Sequence, residues 1–209
     1  MTPFQNIVSS EEELREIVGY PSRLVQNKVI NELDGHCRSF IQASPLVFLA
    51  TADSVGQGDV SPRGDHPGFV QMLDETHLLI PERPGNRRLD SLTNILSNSY
   101  IGLIFLIPGI EETLRVNGRA CIVRDPVLQE SMAVQGRVPL VGIGVTVEEC
   151  FVHCGKAFRR SRTWHPSSWL PPQSWPDIPR MLADHARLAD YDRDTIEQSL
   201  VKSYRDTLY

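Results

Sequence analysis

The spacing of apolar residues changes repeatedly along this chain. The stretch Ser10-Glu11-Glu12-Glu13-Leu14-Arg15-Glu16-Ile17-Val18-Gly19 predicts a short helix. Ser10 can cap it, acids fill its first turn where the helix dipole favours them, and Gly19 and Pro21 stop it. Residues 25–30 add a helical turn, and Asp34 starts a second helix that runs through Phe40 and Ile41 and ends before Ser44-Pro45. From Leu46 the period drops to two. Residues 46–51 form a short β-rich run, and Gly56-Gln57-Gly58 reads as a hairpin turn into Asp59-Val60. Residues 69–73 and 77–80 predict two more strands around a turn at Asp74-Glu75. Leu89, Leu92, Ile95 and Leu96 return to helical spacing. Strands follow over 100–107, 113–123 and 139–153, the last with Val141, Ile143, Val145 and Val147 in alternation, and 127–133 reads as a short helix between them. Residues 164–179 are dense in Pro and Trp and predict an ordered, irregular loop. Residues 181–208 are helical in pattern.

Many short strands, few long helices and close turns predict a small antiparallel barrel rather than a doubly wound sheet. The fold class expected is mainly β with flanking helices. Three parts follow: an N-terminal helical extension over 1–44 packed on the barrel, a barrel domain over 45–163, and a Pro/Trp-rich loop with a helical tail over 164–209.

At 209 residues the chain is long enough for one domain with a substantial core. Its net charge of -5 argues against broad nucleic-acid binding, which needs a basic surface. Residues 1–10 lack the basic start and apolar core of a leader, and no apolar run is long enough to span a bilayer. A cytoplasmic location is the expectation, with the four cysteines, at 37, 121, 150 and 154, as free thiols.

Candidate chemistry is concentrated in two Gly- and Pro-rich turns beside strands. The first, Ser61-Pro62-Arg63-Gly64-Asp65-His66-Pro67-Gly68-Phe69, offers Ser61 and Arg63. The second, Pro81-Glu82-Arg83-Pro84-Gly85-Asn86-Arg87-Arg88, offers Arg83, Asn86, Arg87 and Arg88. A guanidinium presents a planar fork suited to two phosphate oxygens, and glycine lets the backbone approach a ligand. A helix starting near Asn86 would also aim free N–H groups at the anion. The alternative is that these arginines pair with Asp65, Glu82 and Asp90.

In Thr113-Leu114-Arg115-Val116-Asn117-Gly118-Arg119-Ala120, strand alternation turns Arg115 and Asn117 away from Leu114 and Val116. Arg115 is either a ligand donor or part of an exposed strand face. Cys150, His153 and Cys154 invite a zinc reading, but a second ligand pair at suitable spacing is missing. A thiol nucleophile has no base fixed beside it. Lys156 and Arg160 either close a ligand pocket or belong to a basic turn.

Together these residues resemble those of the FMN-binding flavoproteins related to pyridoxamine 5'-phosphate oxidase. The resemblance rests on Ser44-Pro45, Asp59-Val60-Ser61-Pro62-Arg63-Gly64-Asp65, Pro67-Gly68-Phe69, Ile80-Pro81, Arg83-Pro84-Gly85-Asn86-Arg87-Arg88, Pro108-Gly109, the 113–120 block and His153-Cys154-Gly155-Lys156-Ala157, all in one order. It implies a split β-barrel and a homodimer with FMN at the subunit interface. It assigns the phosphate to Asn86, Arg87 and Arg88, backbone contacts to Ile80 and Pro81, and a second phosphate segment to the Arg63 loop. Lys156, with Cys154 and Arg160, would come from the late strand. With the flavin as ligand, Arg115 faces a carbonyl edge of its ring. The true oxidases carry an Arg-x-His substrate motif near the C-terminus. Here that region reads Asp184-His185-Ala186-Arg187, so the resemblance speaks for the cofactor and against pyridoxamine phosphate as substrate.

The resulting expectation is an FMN-dependent oxidoreductase of unassigned small-molecule substrate, with no metal, no nucleic acid and no membrane partner. The alternatives are a non-catalytic protein that stores or senses FMN and, more remotely, a haem-binding split barrel.

Overall fold

The computed structural model describes residues 3–209. Met1 and Thr2, which the leader reading and the 1–44 extension include, lie outside the described residues. Among the described residues no helix is long and apolar enough to cross a membrane.

Three helices come first: α1 (Glu11–Val18), α2 (Arg23–Asn27) and α3 (Gly35–Ala43). Each has a side-chain cap: Ser10, Ser22 and Asp34 accept from the N–H groups of Glu13, Val25 and Cys37. Neither α1 nor α2 buries a residue, whereas α3 buries Cys37 and Ile41 against the sheet. The extension is also stitched to the sheet by a short antiparallel bridge between Ile30 and Cys150.

Seven antiparallel strands make one sheet. They are β1 (Leu46–Ala52), β2 (Gly58–Gly64), β3 (Gln71–Met72), β4 (His77–Pro81), β5 (Tyr100–Leu106), β6 (Thr113–Val123) and β7 (Gly142–His153). Their order is β2-β1-β5-β6-β7-β4-β3, so β2 and β3 are the two edges and the barrel is split rather than closed. The inner face carries the core: Val47, Leu49, Leu78, Ile80, Leu103, Phe105, Leu114, Val116, Ile143 and Val145 are all buried. Along β1, β5 and most of β6 and β7 they alternate with more exposed residues, the period-two signal read from the sequence, whereas β4 is buried continuously from Leu78 to Pro81. Two helices lie between strands, α4 (Asp90–Ser97) and α5 (Pro126–Ser131).

A register shift interrupts the β6–β7 pairing between Asn117 and Gly118. A Cβ on Gly118 would sit 2.0 Å from the Thr146 carbonyl oxygen, so only glycine lets the strands approach there.

After β7 come α6 (Lys156–Ser161), two 3-10 turns, α7 (Ile178–Ala186) and α8 (Arg193–Asp206). The Pro/Trp-rich loop is ordered by its indoles. Trp164, Trp169 and Trp175 donate to the carbonyls of Ile110, Thr163 and Leu170, each at 2.9 Å.

Four elements differ from the sequence reading. β2 extends through Ser61, Pro62 and Arg63, which the sequence assigned to a turn. Pro62 is tolerated because β2 is an edge strand whose second side needs no donor. The strand expected over 69–73 pairs only at Gln71 and Met72. The helix after the second Arg loop begins at Asp90, four residues beyond Asn86, because Leu89 takes a left-handed conformation (φ 61°) and interrupts it. The long tail helix is broken into α7 and α8, with Arg187 left-handed at the break (φ 52°).

Candidate functional site

The pairing register fixes where the polar residues of β2 point. Asp59, Ser61 and Arg63 face Thr51, Leu49 and Val47 of β1, which are buried. Directly paired residues share a face, so all three polar side chains aim to the inner side of the sheet. β4 arrives from the other side of the split with Ile80 and Pro81 buried and Glu82 and Arg83 just beyond.

The two Arg segments meet across the split in a reciprocal clasp. Arg63 Nε donates to Glu82 Oε2 at 2.9 Å, and Arg83 Nε donates to Asp65 Oδ2 at 2.7 Å. Arg63 Nη1 also donates to Ser61 Oγ at 2.6 Å, and Arg83 Nη1 to the Met132 carbonyl at 2.9 Å. Asp65 is the most enclosed member, its side chain 1% exposed against 14% for Arg83. Burial works to raise its pKa. The His66 N–H, the Tyr209 hydroxyl and the Arg83 guanidinium outweigh that and hold its carboxyl below the ordinary range. Tyr209 donates its hydroxyl to Asp65 Oδ1 at 2.8 Å, and Arg83 stands over its ring, 5.8 Å from the centroid. The hydrogen bond to Asp65 raises the Tyr209 phenol above its usual value.

Beyond the clasp, the second segment leads into α4. Arg87 and Leu89 are both left-handed (φ 62° and 61°), two non-glycine residues in a conformation that costs about 1 kcal/mol or more each. Such strain survives where surrounding structure holds it and is concentrated at functional loops. Asn86 Oδ1 accepts from the Arg88 N–H at 3.0 Å, and Arg88 Nε pairs with Asp90 at 2.7 Å. α4 is tied to the sheet by Ser91, which donates to Asp59 at 2.7 Å, and by Asn94, which donates to Thr51 at 3.1 Å.

The acids of the alternative reading are therefore engaged: Asp65 with Arg83, Glu82 with Arg63 and Asp90 with Arg88. Arg87 is exposed and pairs with no acid among the described residues. The donor set left for an anion is Arg87, the remaining N–H groups of Arg88 and Arg63, and the Ser61 hydroxyl. Ser61 and Arg63 lie on the inner side of β2, and Arg87 and Arg88 are exposed on the loop ahead of α4; all four are donor types suited to a phosphate.

The remaining candidates lie elsewhere. Arg115 pairs with Ile104 and Phe151, on the face opposite Leu114 and Val116, so it points to the outer side of the sheet. There Arg115 and Lys28 both stand over the Phe151 ring, at 5.2 and 5.3 Å. Burial, with these two cations, lowers the pKa of His153. Cys154 is exposed, and Lys156 and Arg160 lie on α6, after β7. Cys150 is buried with its sulfur 3.3 Å from that of Cys37. Among the described residues no group of three His, Cys, Asp or Glu side chains could hold a metal ion. Sequence reasoning missed Tyr209, since a tyrosine 144 positions from Asp65 leaves no local signal.

The family model for pyridoxamine 5'-phosphate oxidase matches residues 33–154, more than half of the sequence, and the chain belongs to that family. No curated protein matches it significantly. Similar solved structures include HupZ from Group A Streptococcus, 20% identical over 57% of this chain and 92% of its own, with a TM-score of 0.48. General Stress Protein 26 from Bacillus anthracis is 15% identical over 55% of this chain and 88% of its own, at 0.43. An FMN-binding protein from Syntrophomonas wolfei is 11% identical over 56% of this chain and 83% of its own, also at 0.43.

Proposed function

We propose that this protein binds FMN and acts as an FMN-dependent oxidoreductase on a small molecule other than pyridoxamine phosphate. The observation that carries the reading is that, in a chain of this family, Ser61 and Arg63 are joined on the inner side of edge strand β2, while the loop ahead of α4 carries Arg88 and an Arg87 that pairs with no acid among the described residues. Arg87 and Arg88 take the phosphate, with Asn86 holding the turn that presents them. Arg63 is held by Glu82 and turns its unused N–H groups to the same anion. Ser61 accepts from Arg63, which leaves its own proton to donate. Bound FMN supplies hydride or electron transfer.

Arg115 faces the other side of the sheet. For it to meet a flavin held at the split, a second copy of the chain must supply it, which fits a homodimer with the cofactor between subunits. A cation there, Arg115 or Lys156, favours negative charge at the ring's pyrimidine end. A cytoplasmic setting, with its reduced thiols, accompanies this reading.

The visible spectrum of the purified protein tests it. The expected result is a flavin spectrum, present on isolation or acquired with added FMN at one per chain. A colourless protein that takes up no FMN overturns it. Anaerobic reduction with NADH or NADPH, followed by a screen of acceptors, then separates an enzyme from a storage or sensing protein. Reoxidation no faster than in air favours the latter.

A further inference from the structure

The helices α7 and α8 form a hairpin that packs chiefly on itself. Arg193 pairs with Asp177 at 2.9 Å and with Glu197 at 2.9 Å, and only Ile196 of α8 is buried. Among the described residues, the hydrogen bonds that reach the barrel from Ile178 onward are both made by Tyr209. Its hydroxyl donates to Asp65, its ring lies beneath the Arg83 guanidinium, and Arg137 donates to its carbonyl oxygen. Thr207 turns the chain towards that position after α8, its hydroxyl returning to the Ser203 carbonyl at 2.8 Å.

One residue thus joins the hairpin to three parts of the barrel: the end of β2, the segment after β4, and the segment after α5. Two of its partners, Asp65 and Arg83, form one arm of the clasp beside the phosphate donors. Neighbouring tyrosines behave otherwise. Tyr204 on α8 is 68% exposed.

We propose that Tyr209 is a latch that fastens the α7–α8 hairpin over the split of the sheet as a lid on the anion site. Latched, Tyr209 keeps Asp65 and Arg83 engaged, which holds the base of the loop that carries Arg87 and Arg88. Unlatched, the hairpin swings free and that loop loosens. The role assigned to the lid in retaining cofactor rests on the FMN reading above. The latch itself is a statement about the protein alone. Tyr209 is a positioning residue and touches neither phosphate nor flavin ring.

Hydrogen exchange and limited proteolysis of ligand-free protein test the latch. Tyr209→Phe, which removes only the hydroxyl, and Tyr209→Ala, which also removes the ring, are compared with Tyr204→Ala. Both Tyr209 variants are expected to speed exchange in 178–206 and 82–89, with β5, β6 and β7 unchanged. Tyr204→Ala should match the parent. Unchanged exchange in both Tyr209 variants overturns the latch. So does equal loosening by Tyr204→Ala. If Tyr209→Ala does not fold, Tyr209→Phe decides alone.

FMN release then tests the lid. Dissociation of FMN should quicken about tenfold in Tyr209→Phe, the scale of one hydrogen bond to a charged group. Faster exchange with unchanged release overturns the lid and keeps the latch. Failure of the parent protein to bind FMN overturns the FMN reading instead, while the exchange data still judge the latch.

Discussion

The sulfur of Cys37 lies 3.3 Å from the sulfur of Cys150, joining helix α3 to the middle of strand β7. Both thiols are buried, and burial raises both above the ordinary thiol range, Cys150 far above it. Cys121 and Cys154 are exposed. A thiolate-directed alkylating agent should therefore label Cys121 and Cys154 in the native protein and reach Cys37 and Cys150 only after unfolding. Peptide mass spectrometry at increasing urea checks this. Labelling of Cys37 as fast as Cys121 in native buffer would count against the buried pair.

The clasp should be worth measurable stability. Asp65→Ala leaves the Arg83 guanidinium enclosed without its carboxylate, and Glu82→Ala does the same to Arg63. Each is expected to cost about 2 kcal/mol, within the range for removing one partner of an enclosed charged hydrogen bond. Urea denaturation read by tryptophan fluorescence measures both. Losses below about 0.5 kcal/mol would class the pairs with ordinary surface ion pairs.

Asp65 also gives the clasp a pH signature. Its folded pKa is depressed, so the native state binds fewer protons than the unfolded state near an unfolded aspartate value of about 3.9. Its contribution is present above that value and is lost as pH falls through the folded value. The parent should lose stability more steeply than Asp65→Asn from about pH 4 downward. Parallel acid titrations of the denaturation midpoint for the two proteins decide the point.

Replacing Arg87 and Arg88 together by alanine removes two guanidinium forks from the proposed phosphate site. FMN affinity is expected to fall about 100-fold, or roughly 3 kcal/mol, with the denaturation midpoint nearly unchanged because both side chains are exposed. Quenching of flavin fluorescence on titration provides the readout. An affinity equal to the parent's would remove these residues from the site.

Gly118→Ala should be the most damaging of these single changes. Its Cβ would meet the Thr146 carbonyl oxygen at 2.0 Å, and that atom belongs to a paired strand that cannot yield without breaking the β6–β7 register. A loss of about 3 kcal/mol or failure to fold is expected. Thermal denaturation of the soluble fraction measures it.

The strands were legible because the barrel core sets a period of two that no turn residue imitates. Thr113–Val123 follows the expected bounds, and so does the helix capped by Ser10. Ser61 and Arg63 were read as turn because of Pro62, whose edge position depends on strand order, a property of the whole sheet. The delayed start of α4 arises from left-handed Arg87 and Leu89, residue types that ordinarily avoid that conformation. Pattern identified the Arg residues and the acids that hold three of them. Strand alternation already turned Arg115 away from Leu114 and Val116; the sheet topology shows which of those faces is the core, and only the folded tail brings Tyr209 to Asp65.

The clasp carries one more implication. Read along the chain, β2 and its exit present plus then minus, at Arg63 and Asp65, while the exit of β4 presents minus then plus, at Glu82 and Arg83. No ladder of backbone hydrogen bonds joins β2 to β4, so nothing repetitive aligns these two exits. The crossed charges do that instead. Sliding one exit past the other sets Arg63 against Arg83 or Asp65 against Glu82, and like charges reject the misalignment. The opening of the barrel is thus a two-letter lock, whose key is the order of signs rather than their number.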